Sequence, residues 1–146
     1  MPSQVLAFGA FTTEALKAIF ANAGSQFQAS AVSNAAIPSG LLTGAADVVL
    51  NTTANGANAL STPSASQMIA DEIAALSPYL NPSQLLGLSW ELTIQNTGNN
   101  TVTLSGGTGV TINGTATIAT ATWRKYIVTV TGTTSITLQN VGSGSV

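Results

Sequence analysis

A chain of 146 residues with three basic side chains, five acidic ones and no histidine carries a formal net charge of −2. Its length suits one domain whose core needs neither metal nor disulfide, and the absence of cysteine removes disulfides, thiolate chemistry and cysteine-ligated zinc together. Charged residues make up 5% of the chain against a usual share of about 25%, and Lys17, Arg124 and Lys125 cannot form a phosphate-tracking stripe or a polybasic anchor, so neither nucleic acid nor a membrane is an expected partner.

The opening MPSQVLAFGAF lacks the positive region of a secretory signal, and no stretch reaches the roughly 20 apolar residues of a spanning helix. Val5, Leu6, Phe8 and Phe11 are more apolar than a free terminus usually is. Thr12 or Thr13 caps a predicted helix whose Leu16, Ile19, Phe20 and Ala23 share a face, with Gly24 as its stop and Phe11 placed as a hydrophobic staple. That helix docks either on its own chain or on a neighbouring subunit or larger lattice. The next stretch, SQFQASAVSNAAIPSGLLTG, has no charge and no sustained period, with Pro38 and Gly40 as breaks. Phe27, Val32, Ile37, Leu41 and Leu42 make it too apolar for a solvated linker, and it reads as a strap along another surface. Residues 1–44 therefore form a predicted arm and residues 45–146 a β module.

DVVLNTT, from Asp47, is a short strand candidate followed by an ANGAN loop. Thr62-Pro63 reads as the cap and first position of a second helix, with Ala65, Ile69, Ile73 and Leu76 as its apolar stripe, Asp71 and Glu72 off the centre of that stripe, and Pro78 and Pro82 closing it. From residue 88 the alternation is sustained. Leu88, Trp90, Leu92 and Ile94 fall on one face, Val102 and Leu104 alternate with threonines, Val110 and Ile112 precede an Asn113-Gly114 hairpin signal, and Ala116 and Ile118 continue. In TWRKYIVTV the Tyr126, Val128 and Val130 side chains share a face, Thr131-Gly132 reads as a turn, and Ile136 and Leu138 mark the last strand. The expected fold is mainly β, an antiparallel sandwich or small barrel of about six to eight short strands with two short helices before the main ones.

Residues suited to chemistry are scarce. Without histidine the commonest general base and metal ligand are missing, and serine has neither histidine nor cysteine beside it. Asp71 and Glu72 point about 100° apart on a helix and, with Glu91, read as solvated surface acids, while Asp47 reads as a strand-entry residue. Gly107 and Gly109 begin a G-x-G, but Ile112 stands where a third glycine belongs, so hairpin turns explain the glycines better than a nucleotide. No enzyme activity, cofactor or metal is expected. Trp90 is assigned to the core, and Trp123, on the face opposite Tyr126, to an exposed or interface position.

From Asp47 to Gly144, DVVLNTTANGANALSTPSASQMIA, LTIQNTGNNTVTLSGGTGVTING and TATWRKYIVTVTGTTSITLQNVGSG, with the Trp123-Arg124 pair, together resemble a small β module of tailed-bacteriophage virion proteins, found in head decoration (cement) proteins and in tail-fibre and spike subunits. The resemblance implies a structural protein on the capsid surface of a virion that bridges subunits of the major capsid protein, as a homo-oligomer and commonly a trimer. It carries over no catalytic residues. On this reading Phe8, Phe11, Phe20, Phe27, Leu41, Leu42 and Trp123 are candidate interface residues. The alternative is a receptor- or carbohydrate-binding module of a fibre or spike. Low charge makes contacts less salt-dependent, and a histidine-free chain lacks the side chain that ordinarily titrates between about pH 5 and 8.

Overall fold

The computed structural model describes residues 25–29, 35–45, 47–52 and 58–146. The predicted helix after Thr12 and the anchors Phe8, Phe11 and Phe20 lie outside the described residues, as does the side chain of Phe27. The fold is mainly β, with strands β1 (Ser25–Ala29), β2 (Ala35–Ala36), β3 (Asp47–Thr52) and β4 (Asn58–Ser61), helix α1 (Ala65–Leu76), a 3-10 turn (Pro82–Leu85), and strands β5 (Ser89–Asn96), β6 (Val102–Ser105), β7 (Val110–Asn113), β8 (Thr117–Ile118), β9 (Thr122–Gly132) and β10 (Ser135–Ser145).

The strands form two sheets, ordered β1-β3-β5-β9-β10-β7 and β2-β4-β6-β8. Successive strands from β1 to β6 alternate between the sheets, so the chain winds as a coil that lays down one strand on each side per turn. Strands added in this way must run parallel. Ser25 pairs with Asp47 and Asp47 with Glu91 in one sheet, while Ala35 pairs with Leu60 and Leu60 with Leu104 in the other. Antiparallel pairing appears only later, between β6 and β8, β5 and β9, and β9 and β10, and β7 rejoins β10 in parallel. The all-antiparallel expectation is thereby corrected. Alternation identifies a half-buried strand but is indifferent to the direction of its neighbour.

Alternation does set the core. Val48 and Leu50 of β3, Trp90, Leu92 and Ile94 of β5, Tyr126, Val128 and Val130 of β9, and Ile136 and Leu138 of β10 are buried from one sheet. Leu60, Val102, Leu104 and Ile118 are buried from the other, and all join one cluster. β1 and β2 lie before residue 45 yet pair into both sheets, so the predicted strap contributes to the same fold.

Asn113-Gly114 does not close a hairpin. Gly114 takes the left-handed φ of +89 that the turn requires, but β7 and β8 on either side belong to different sheets. The β9–β10 hairpin turns at Thr133 and Thr134 instead, two residues beyond the expected Thr131-Gly132. Helix α1 starts later than expected too. Ser64 is the cap, its Oγ accepting from the Gln67 N–H at 3.2 Å, because the Thr62 hydroxyl accepts from Gly107 N–H at 2.9 Å.

Candidate functional site

Odd-numbered residues of β3, β5 and β9 face away from the core, and the pairing register arrays them in rows. One row runs from Val49 through Thr93 to Lys125, and the next from Asn51 through Gln95 to Trp123. On β10 a bulge between Asn140 and Gly142 shifts the register by one residue. An extra residue reverses which side chains face outward. Ile136 and Leu138 face the core before the bulge, whereas Gly142 and Gly144 stand beside Lys125 and Trp123 on the outer face after it, and Val141, left between, is exposed.

Trp123 occupies the space those glycines leave. A Cβ built on Gly144 would lie 2.8 Å from Cε2, Cζ2 and Nε1 of the indole, and one on Gly142 would lie 3.8 and 3.9 Å from Cζ3 and Cη2. The ring therefore rests across the two glycines with no side chain beneath it. Toward β5 and β3 it borders an open depression of about 280 Å³, lined also by Val49, Thr93, Gln95 and Lys125. Lys125 Nζ donates to Glu91 Oε2 at 2.8 Å. That hydrogen bond, and the carboxylates of Glu91 and Asp47, hold the ammonium above its ordinary pKa. Thr93, Gln95 and Trp123 make no side-chain hydrogen bond among the described residues.

The two tryptophans lie on opposite faces of the sheet, as the alternation placed them. Trp90 is buried, and its Nε1–H donates to the Leu42 carbonyl at 2.8 Å. Trp123 is half-buried on the outer face. Leu41 packs against the edge of the core and Leu42 is fully buried within it, so among the predicted interface residues with described side chains only Trp123 faces away from the core.

Of the acids, Asp47 opens β3 and Glu91 is partly exposed, as expected, whereas Glu72 is not a surface group. Asp71 accepts from Ser39 Oγ and Gly40 N–H at 2.8–2.9 Å and from Gln67 Nε2 at 3.0 Å. Glu72 is fully buried rather than solvated; Oε1 accepts from Gly44 N–H at 3.0 Å, and Oε2 has no hydrogen-bond partner among the described residues. Burial pushes its carboxyl up to about 8, against the Gly44 N–H, which favours the charged form, and with the Asp71 charge adding to the rise. Helix periodicity placed Glu72 off the centre of the stripe, and the burial comes from the 39–45 segment folding over that side of α1. A histidine-free chain thus still holds a group that titrates near neutrality.

Other polar side chains close the ends of the coil. Asn96, fully buried, donates to the carbonyls of Asn100 and Ile118 at 2.8 and 3.0 Å and accepts from Gly98 N–H at 3.0 Å. Arg124 Nε donates to the Thr117 carbonyl at 2.7 Å, and Tyr126 Oη to that of Thr115 at 3.1 Å, pinning the crossover from β7 to β8. Burial pushes the Tyr126 phenol up to about 12.

Among the described residues no group of three or more histidine, cysteine, aspartate or glutamate side chains is placed to hold a metal, and no helix is long and apolar enough to cross a membrane. What the outer face offers is recognition chemistry: an aromatic ring, neutral hydrogen-bonding groups and a paired charge. The chain matches no family model, and no curated protein or solved structure shows significant similarity to it.

Proposed function

We propose that this chain is a structural virion protein, a decoration protein that binds the outside of a phage head as a homotrimer and bridges subunits of the major capsid protein. The observation that carries this reading is the scarcity of charge on a fold of paired strands. On the outer face of the six-stranded sheet the charged groups of β3, β5 and β9 are Asp47, Glu91 and Lys125, and Lys125 is paired with Glu91. Tyr79 and Leu86, on either side of the 3-10 turn, are exposed at 77% and 40%. Such a surface forms contacts through apolar area and neutral hydrogen bonds, which salt screens little. Two sheets on one core act here as a sandwich, a stiff slab between neighbouring shell subunits.

The apolar residues before Ser25 would anchor the slab to the shell. A cut at Gly44 cannot test this, because it removes β1 and β2 from the sheets. The test is co-sedimentation of the full chain with heads assembled from the major capsid protein of the same phage. The intact chain should saturate the heads, and Phe8→Asp with Phe11→Asp should abolish binding while the circular dichroism spectrum is unchanged. Binding that survives both substitutions, or an intact chain that fails to bind, would contradict the reading.

A further inference from the structure

The depression beside Trp123 has a more specific chemistry than a flat neutral contact needs. Trp90 shows how this chain treats a tryptophan that serves packing: the ring is in the core and Nε1–H is bonded to a carbonyl. Trp123 is placed otherwise, on the outer face, with its Nε1–H unbonded among the described residues. The bulge in β10 and the glycines after it seat the ring against backbone. Glycine weakens a strand and is found where something must approach the backbone closely. Here the something is an indole, held as a platform at the rim of an open hollow.

The groups around the platform point to one kind of ligand. Thr93, only 9% exposed, and Gln95 line the hollow with side chains that make no hydrogen bond among the described residues, while Val49 adds an apolar wall. Lys125 brings N–H donors, and its charge is balanced by Glu91 with Asp47 nearby. An anionic ligand would have to compete with Glu91 for Lys125, the one charged group in the lining. A cation would meet the ammonium. A purely apolar ligand would leave the hydroxyl and amide without partners, which is costly. A sugar ring has what remains, a C–H face that stacks on an aromatic ring and neutral hydroxyls around its edge. The hollow, about 280 Å³, lies near the lower end of the usual range for ligand sites, about 300–1,000 Å³, which suits a single ring.

We propose that the Trp123 depression is a carbohydrate subsite that takes one neutral pyranose ring, stacked on the indole and hydrogen-bonded to Thr93, Gln95 and Lys125. This goes beyond the decoration reading and does not depend on it. The site is a one-ring contact open to solvent, so its affinity is weak and becomes useful through repetition across an oligomer or a particle surface.

The test uses the full chain and a panel of methyl glucoside, methyl galactoside, methyl mannoside, N-acetylglucosamine and N-acetylgalactosamine, with sialic acid as the anionic control. Saturation-transfer NMR and tryptophan fluorescence read the binding. At least one neutral ring should bind saturably in the millimolar range, and better than sialic acid. Trp123→Ala should abolish that binding, and Gln95→Ala should weaken it about tenfold. Gly144→Ala should weaken it similarly by displacing the ring while leaving the indole present, which keeps the test decisive if Trp123→Ala fails to fold. No saturable binding by any neutral probe, tighter binding of sialic acid, binding that survives Trp123→Ala, or binding that Gly144→Ala leaves unweakened would overturn the proposal. So would a lower molar mass for Trp123→Ala together with no probe binding, since a second copy of the chain would then be what covers the indole.

Discussion

Trp123 and Gly144 are cross-strand partners on the outer face, and the indole occupies the place where any other residue at position 144 would carry its Cβ. The two neighbouring glycines should therefore respond differently to the same change. In Gly144→Ala the methyl group meets Cε2, Cζ2 and Nε1 at 2.8 Å, so the ring must lift. Because Trp123 is only half-buried it can swing away, and a loss of about 1 kcal/mol is expected, less than many core overpackings. In Gly142→Ala the nearest ring atoms are at ordinary contact distance, 3.8 Å, and removing a strand glycine should be neutral or stabilising by up to about 1 kcal/mol. Urea unfolding checks both, and Gly144→Ala alone should shift tryptophan emission to the red.

Glu72 should make stability depend on pH in a window where a histidine-free chain would ordinarily show little change. Its carboxyl is raised by burial from an ordinary 4.5 to about 8, so between those values the folded state holds a proton that the unfolded state has lost. Stability is then fullest below the unfolded value, falls as pH rises through the window, and levels off above the folded value. Within the window each step of one pH unit should cost at most about 1.4 kcal/mol. Glu72→Gln keeps the shape and an acceptor for Gly44 N–H without a titrating proton, so it should flatten the pH dependence and be the more stable protein at pH 9, about one unit above the folded value. Chemical denaturation from pH 4 to pH 9, a range of about five units spanning both values, reads this directly. A wild-type curve flat across the window would contradict the burial of this acid.

Asn96 stands at the end of β5 as a buried residue with its amide fully engaged. Asn96→Ala would leave the carbonyls of Asn100 and Ile118 and the N–H of Gly98 without those partners, and should cost about 3 kcal/mol. Asn96→Asp keeps the acceptor for Gly98 and places a charge among carbonyls, so it should be at least as damaging near neutral pH and recover partly in acid. Thermal unfolding at two pH values separates the variants.

These contacts show what the sequence makes legible. Alternation in SWELTIQN and in WRKYIVTV places Trp90, Leu92, Ile94, Tyr126, Val128 and Val130 in the core, because a strand with one buried face has a period of two whatever its partner. The partner is a tertiary choice. Nothing in the local pattern of β3 says that it lies between β1 and β5 in parallel, and β1 and β2 have too little alternation to stand out from a linker. Asn113-Gly114 carries the chemistry of a turn, and the chain does turn there, but it turns from one sheet into the other. For the site, Trp123 is visible as an aromatic residue on the face opposite Tyr126. Its seat is not, since Gly142 and Gly144 share the phase of Ile136 and Leu138 until the bulge reverses it. Glu72 is hidden for a related reason, because its cover comes from a segment far along the chain.

The proposed homotrimer, held together through neutral contacts, is tested most directly by the mass of the purified full chain in solution. Light scattering behind size exclusion, at low and at high salt, should give a trimer whose mass does not change with ionic strength. A monomer under both conditions, or an oligomer that dissociates as salt is added, would contradict it.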